Sequence, residues 1–183
     1  MFYGGMNMDR EIREQVSLSV NSLRLPRYHE IPNVGLYLEQ TVKYINECLS
    51  PLIDEAITSS MVSNYVKRDL VANPQKKQYS REQVAYLIFI AVVKTVLSMD
   101  EIRLLAAIQR RTYSVERAYN YFCSELENVL AYTLGQKEEL DTIGTENSDE
   151  KVMLRNVIIT AALKIYLGKL FGVIQQQEQG KEA

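Results

Sequence analysis

The sequence predicts an all-α fold. Leu, Ile, Ala, Glu, Gln and Lys dominate its long segments, whereas alternating runs rich in Val, Ile and Thr are missing. The 183 residues include only 4 Pro and 8 Gly, so few positions interrupt a helix. Hydrophobic residues make up 46% and charged residues 24%, which is ordinary for a soluble protein with one compact domain or two small ones.

The first thirty residues predict a helical arm and a linker. Apolar residues at helical spacing indicate a helix from about Asn7 to Ser22. The segment Leu25–Asn33 contains two prolines and cannot be helical throughout, so we expect a linker to the main body. A second helix is predicted over Val34–Leu49, and Ser50-Pro51 ends it.

A short helix and a basic turn follow. The helix is predicted over Ser59–Arg68 with Thr58 as its N-cap, and its inner stripe is apolar. Residues Ala72–Tyr79, broken by Pro74, predict an irregular or hairpin-like turn. The side chains expected to point outward from the helix are Ser60, Ser63, Asn64, Lys67 and Arg68.

Two capping boxes predict the starts of the next two helices. The first, Ser80–Gln83, opens a helix to about Leu97 that is apolar on nearly every side and must be covered from more than one direction. The second, Ser98–Glu101, opens a helix to about Gln109.

Residues 110–183 predict a helical dimerisation or effector region with a polar tail. A helix over Ser114–Leu134 is closed by Gly135, an acidic loop extends to Ser148, and a long helix runs from about Asp149 to Gln176. The last helix is too apolar for one neighbour, so the preceding apolar helix or a second subunit should cover it. We predict a homodimer; the tyrosines of this region could line an effector pocket or dimer face, or be plain core.

No pattern predicts catalysis, a metal site or a cofactor. His29 is the single histidine and lies in the proline-flanked linker, where a surface role is the simplest interpretation. Cys48 and Cys123 have no ligand spacing and are expected to be buried thiols in a reducing cytosol. No glycine-rich loop precedes a helix. The sequence therefore predicts a protein that is not an enzyme.

Membrane insertion and export are not expected either. The N-terminus lacks the apolar core of a signal peptide. Ala85–Leu97 is too short to span a bilayer, and Val157–Ile174 contains Lys164, Gly168 and Lys169. Both runs are predicted to be buried helices of a cytoplasmic protein.

Charge is partitioned along the chain in a way that the formal net charge of −2 hides. Five basic and two acidic residues lie between Thr58 and Gln83, whereas one basic and six acidic residues lie between Gln136 and Glu150. A short helix with exposed donors, held by a packed inner face, is what a major-groove reader needs. The predicted DNA contacts are Ser59, Ser60, Ser63, Asn64, Lys67, Arg68, Lys76, Lys77, Gln78, Tyr79 and Arg81.

About fifty residues resemble the MerR-type regulators. Asn64-Tyr65 with Leu70-Val71 resembles the end of their recognition helix and the turn after it, QYSREQV at 78–84 resembles the exit of their wing, and SMDEIRLL at 98–105 resembles a later helix. The resemblance implies a MerR-like winged helix-turn-helix over residues 31–109, a helical bundle after it, and duplex DNA as partner. The whole chain, including Leu25–Thr58, also resembles a family of small bacterial proteins catalogued as a domain of unknown function, which implies the same fold.

The chain also departs from the MerR pattern. Serines stand where exposed arginines are usual, Asp69 replaces the glycine after the recognition helix, and the wing is short. Fewer cations imply modest and steeply salt-dependent affinity for DNA. Two functions are therefore expected in order: a DNA-binding transcriptional regulator controlled by an unidentified small-molecule or protein effector, and a non-catalytic protein-interaction module on the same scaffold.

Overall fold

A computed structural model describes residues 10–20, 23–145 and 148–181, and the all-α prediction is confirmed for them apart from one small sheet. The described helices are α1 (Arg10–Ser19), α2 (Leu38–Leu49), α3 (Ser59–Lys67), α4 (Arg81–Val93), α5 (Met99–Thr112), α6 (Val115–Thr133) and α7 (Asp149–Lys181), with a 3-10 turn at Tyr28–Glu30 and strands β1 (Leu36–Tyr37) and β2 (Gln78–Tyr79). The predicted start and end of the first helix, Asn7 and Ser22, lie outside the described residues.

The helix starts that were predicted from capping boxes are confirmed. The Ser80 hydroxyl accepts from the Gln83 backbone N–H at 3.3 Å, and the Gln83 side chain accepts from the Ser80 N–H at 2.9 Å. Ser98 and Glu101 make the same reciprocal pair at 3.3 and 2.7 Å, and Thr58 caps α3 through its side chain. These contacts satisfy backbone donors that the first turn of a helix leaves without partners.

The small sheet corrects the predicted start of the second helix. That helix begins at Leu38 rather than Val34, because Leu36 and Tyr37 pair antiparallel with Tyr79 and Gln78. Gly35 permits the close approach, since a Cβ there would lie 2.7 Å from Cβ of Gln78. The strand β1 therefore ties the beginning of α2 to the residues that follow the basic turn.

Helix α4 lies at the centre of the molecule. Every residue from Leu87 to Val93 is buried, and α4 packs against α2, α6, α7 and the 3-10 turn. The prediction that this helix is covered from several directions is confirmed. It ends at Val93 rather than Leu97; the Thr95 hydroxyl donates to the Val92 carbonyl at 2.8 Å in the turn that follows.

The segment predicted as a linker is packed against α6. Leu25 and Ile31 are fully buried, and the Arg27 guanidinium contacts both carboxylate oxygens of Glu127 at 2.6 and 2.7 Å. The backbone N–H of Leu25 donates to the same carboxylate at 2.8 Å. The prolines prevent a helix, but α6 side chains satisfy the backbone. Residues of the arm, the middle unit and the C-terminal region share one hydrophobic cluster.

Helix α7 is only partly covered, which corrects the prediction that Val157–Ile174 is a buried helix. It packs against α6, α1, α4 and α5, yet several large apolar side chains remain exposed: Val152, Met153, Leu163, Leu167 and Phe171. It is long and apolar enough to cross a membrane by length and composition, and 28% of its most apolar window is buried. The apolar surface of α7 therefore exceeds what the described helices cover.

Candidate nucleic-acid interface

Helix α3 has one buried and one exposed side. Val62 and Tyr65 are buried at 0% and 3% exposure and fix the helix to the core. Residues three and four positions apart lie on the same side of a helix. Ser60, Asn64, Lys67 and Arg68 follow that spacing and are all exposed, and Ser63 is half-buried at the edge of this stripe.

The predicted contact Ser59 is engaged within the molecule. Its hydroxyl donates to Oε1 of Glu39 on α2 at 2.8 Å. This bond links the first turns of α2 and α3. We therefore assign Ser59 to the joint between the two helices rather than to the exposed stripe.

The C-terminal end of α3 is closed by a Schellman motif with an unusual residue. The backbone N–H of Asp69 donates to the Val66 carbonyl at 3.0 Å, and that of Leu70 donates to the Tyr65 carbonyl at 3.0 Å. Asp69 has φ of +55°, a left-handed conformation in which glycine is usual. The exposed carboxylate of Asp69 thus follows Lys67 and Arg68 directly.

Helix α5 holds the same end of α3 through Arg103, which sequence analysis did not single out. Its guanidinium donates to the Arg68 backbone carbonyl at 2.6 Å and pairs with Asp100 at 2.7 Å. A cation at the C-terminus of a helix satisfies its last carbonyls. The motif SMDEIRLL carried this residue, but its partner, 35 positions earlier, could be found only in the fold.

The basic turn is a tight hairpin. The Gln78 backbone N–H donates to the Gln75 carbonyl at 2.8 Å, and the two residues between them, Lys76 and Lys77, have φ of +48° and +64°. Positive φ at both central positions defines a type I′ turn, which usually contains Asn and Gly. Both lysines are exposed at its tip.

Three other predicted contacts flank this turn and face inward to different degrees. Gln78 is half-buried, with its side chain packed over Gly35. Tyr79 is 4% exposed and belongs to the hydrophobic cluster, where burial raises the pKa of its hydroxyl. Arg81 donates from Nε to the Ile31 carbonyl at 2.8 Å and fixes the N-terminal segment.

The structure thus leaves seven predicted contacts accessible on α3 and the turn. We name them the α3–turn surface: Ser60, Ser63, Asn64, Lys67, Arg68, Lys76 and Lys77. It carries four cations, opposed locally by Asp69. Such a surface can donate hydrogen bonds to phosphates and base edges.

The described residues show no arrangement suited to metal binding or thiol chemistry. No group of three or more His, Cys, Asp or Glu side chains within them could hold a metal ion. Burial raises the pKa of the Cys123 thiol to about 12 and also raises that of Cys48. Both thiols are therefore protonated at neutral pH and poor nucleophiles.

Comparison with known protein families gives one match. Residues 26–122, just over half of the chain, match the model of the family described as Domain of unknown function (DUF1836). The chain belongs to this family. The matched region of the DUF1836 protein runs from the docked N-terminal segment into α6 and includes the whole α3–turn surface. No curated protein matches the chain, and no solved structure does.

Proposed function

We propose that this DUF1836 protein is a cytoplasmic, non-catalytic transcriptional regulator of the MerR-like type that binds duplex DNA through the α3–turn surface. One observation carries the proposal. Helix α3 is a capped nine-residue helix with Val62 and Tyr65 buried on one side and Ser60, Asn64, Lys67 and Arg68 exposed on the other.

The order of the elements supports a winged helix-turn-helix. In such readers the second helix of the pair enters the major groove and a hairpin contacts the backbone. Here α2 and α3 are the helix pair, and the Gln75–Gln78 turn leads into β2, which pairs with β1 at the start of α2. The sheet therefore holds the turn at a defined position relative to the helix pair.

Different side chains of the α3–turn surface are suited to base edges and to phosphates. Asn64 can pair with an adenine edge through two hydrogen bonds, and Ser60 can donate to or accept from any base. The four cations, Lys67, Arg68, Lys76 and Lys77, fit phosphates, which position the protein without reading sequence. Four phosphate contacts per protomer predict that affinity falls steeply as salt rises.

We further propose that the partner of α7 is a second copy of the chain. Leu163, Leu167 and Phe171 recur every four residues and are 40%, 41% and 56% exposed. A two-fold pairing of this stripe would cover it and present two α3–turn surfaces to two half-sites of DNA. If the chain does not bind DNA, the exposed stripe on α7 favours the second candidate function, a protein-interaction module.

Fluorescence anisotropy with mixed genomic duplexes at about 50 and 200 mM salt tests DNA binding. We expect binding that weakens with salt and that Lys67→Glu reduces at least about tenfold. Arg111→Glu is the matched control, because Arg111 is equally a cation, exposed on α5 and outside the surface. Folded protein that shows no binding at low salt would refute the proposal; equal losses in the two variants would mean unspecific attraction to charge.

Asp69 offers a gain-of-function test. Asp69→Gly removes a charge beside Lys67 and Arg68 and relaxes a left-handed residue, so both DNA affinity and stability should rise. Asp69→Asn separates the two effects, because asparagine tolerates the same conformation without the charge. If neither variant raises DNA affinity, the C-terminal end of α3 does not lie near phosphates.

A further inference from the structure

A cleft lies between α4, α5 and α6, bordered by the start of α7. Its cavity measures about 110 Å³ and is open on one side. Aromatic and aliphatic side chains form most of its wall: Tyr86, Phe89, Leu105, Tyr113, Tyr119 and Leu154. An apolar cavity on this scale accommodates a molecule about the size of benzene, and apolar walls with few polar groups are typical of small-molecule sites.

Two polar groups in the wall lack a hydrogen-bond partner within the described residues, the Tyr119 hydroxyl and the Gln109 amide oxygen, and of these only the amide oxygen is limited to accepting. Gln109 is 7% exposed, and its Nε2 donates to the Glu150 carbonyl at 2.7 Å. Because the Glu150 carbonyl can only accept, the Gln109 atom that contacts it is the amide nitrogen. The remaining polar atom of the Gln109 side chain is therefore the amide oxygen. That oxygen, Oε1, is buried and accepts no hydrogen bond within the described residues. Such a group is rare in a native protein and calls for a donor from a ligand or a water.

The aromatic wall is preorganised. The Phe89 ring lies 6.1 Å from Tyr86 in a stacked arrangement and 5.2 Å edge-on from Phe122. The Arg110 guanidinium lies 5.1 Å from the Tyr86 ring centroid. Fixed rings present faces and edges that favour a further ring in offset or edge-on contact. The wall therefore favours a flat aromatic ligand over a branched aliphatic one.

The charges around the cleft favour a neutral ligand. A second cavity shares Gln109 and Tyr113 with the cleft and is also lined by Arg117 and Lys151. Arg117 lies 5.3 Å from the Tyr113 ring, and Lys151 donates to the Gly144 carbonyl at 3.0 Å. Both cations are already engaged. Of the two charged residues that line the cleft itself, Arg110 lies over the Tyr86 ring and Glu82 is an anion, so a ligand carboxylate would meet an opposing charge beside the one cation.

We propose that the cleft binds a neutral aromatic small molecule that carries a hydrogen-bond donor, with its ring against Tyr86 and Phe89 and its donor on Oε1 of Gln109. Val71 and Ala72, which follow the end of α3, line the same cleft. Gln83 at the start of α4 donates to the Ala72 carbonyl at 2.7 Å. The cleft therefore borders the segment that joins α3 to the basic turn; an effect of the ligand on DNA binding rests on the proposed function, whereas the site itself does not.

Calorimetric titration of the full chain with phenol and toluene tests the site, because the two molecules are similar in shape and differ in the donor. We expect phenol to bind about tenfold more tightly than toluene, as one hydrogen bond to an otherwise unpaired acceptor implies. Gln109→Met should remove that preference. Equal affinity for phenol and toluene in the wild type, no binding of phenol, or tighter binding of benzoate than of phenol would each overturn the proposal.

Two neighbouring alanines of α5 supply a matched pair of variants. Ala106 lines the cleft and is 7% exposed, whereas Ala107 is exposed. Ala106→Leu should abolish phenol binding while Ala107→Leu retains it, with circular dichroism checking that both fold. Equal effects of the two variants on phenol binding would contradict the assignment. If the wild type does not bind phenol and Ala106→Leu abolishes dimer formation, the cleft holds a side chain of a second copy of the chain instead.

Anisotropy with saturating phenol separates regulation from binding. We expect the Kd for DNA to change at least about fivefold. If phenol binds but the Kd for DNA is unchanged, the coupling is refuted. If the chain binds phenol but no DNA at low salt, the proposed function fails while the ligand site stands.

Discussion

Helix α4 is apolar on nearly every side and α7 contains a long apolar run, yet the two helices lie in different surroundings. Helix α4 is buried without interruption from Leu87 to Val93, whereas α7 leaves Leu163, Leu167 and Phe171 exposed. An apolar circumference shows that a helix needs cover on every side. It does not show whether the same chain supplies that cover. For α4 the chain does, and for α7 the described residues do so on only part of the surface.

The two helices are also held by different interactions. Helix α4 is fixed by apolar packing against α2, α6 and α7. Helix α7 adds ion pairs: Arg155 with Glu125 on α6 at 2.8 Å, and Lys169 with Asp54 at 2.5 Å. The polar contacts specify which side of α7 faces the bundle, and they leave its apolar stripe outside.

The largest contrast is expected from truncation of one leucine in each helix. Leu87→Ala on α4 should lower the free energy of unfolding by about 3 kcal/mol, because it leaves a cavity in a fully buried site. Leu167→Ala on α7 should cost about 0.5 kcal/mol or less in the monomer, since the side chain is 41% exposed. Urea denaturation measures both. Equal losses of unfolding free energy in Leu87→Ala and Leu167→Ala would contradict the difference in burial between the two helices.

The ion pair between α6 and α7 gives the next effect. Glu125 is 1% exposed and Arg155 is 40% exposed. Arg155→Met leaves a buried carboxylate without its partner and should cost about 2 kcal/mol, less than for a fully buried pair because water reaches the arginine side. The double variant Glu125→Leu with Arg155→Met should recover most of the loss in thermal denaturation. If the double variant is as unstable as Arg155→Met alone, Arg155 stabilises the fold through packing and not through its charge.

The apolar stripe of α7 should matter for assembly more than for folding. Leu163→Ser with Leu167→Ser should raise the dimer dissociation constant at least about tenfold, equivalent to about 1.4 kcal/mol. Light scattering over a concentration series measures it. Leu104→Ser is the control, because Leu104 is exposed on α5. A wild-type monomer at high concentration would refute the dimer, and flotation with lipid vesicles that is lost in the double variant would assign the stripe to a membrane.

The smallest effect comes from a glycine within α7. A Cβ at Gly168 would meet no atom within 4 Å, so Gly168→Ala should raise the free energy of unfolding by about 0.7 kcal/mol through helix propensity. The reverse change in α4, Ala91→Gly, should lower it by at least about 1 kcal/mol, since Ala91 is fully buried. Thermal unfolding compares them. A Gly168→Ala chain that dimerises less well would place Gly168 in the dimer interface.

Local sequence was enough to predict where several helices begin and end. Ser80 and Ser98 contact residues only three positions away, so their capping boxes could be recognised without a fold. Gly135, with φ of +70°, ends α6 as expected because its backbone freedom is intrinsic to the residue. The apolar circumference of α4 likewise predicted its central position.

The tertiary structure decided what depended on distant partners. Leu36 was predicted within a helix but forms a strand, because its partner Tyr79 lies beyond α2 and α3. The predicted contacts Ser59 and Arg81 are engaged by Glu39 and the Ile31 carbonyl, and Tyr79 is buried. Arg103, which holds the end of α3, was not singled out.

By itself, then, the sequence determined the helical fold, most helix starts and the basic character of the α3–turn surface, because these arise from interactions within about one helical turn. Only the tertiary structure decided which side chains of that surface remain accessible, how the N-terminal segment docks on α6, and that an aromatic cleft surrounds Gln109. Those features arise where segments far apart in the chain meet, and the pattern of one segment does not specify the groups that another brings to it.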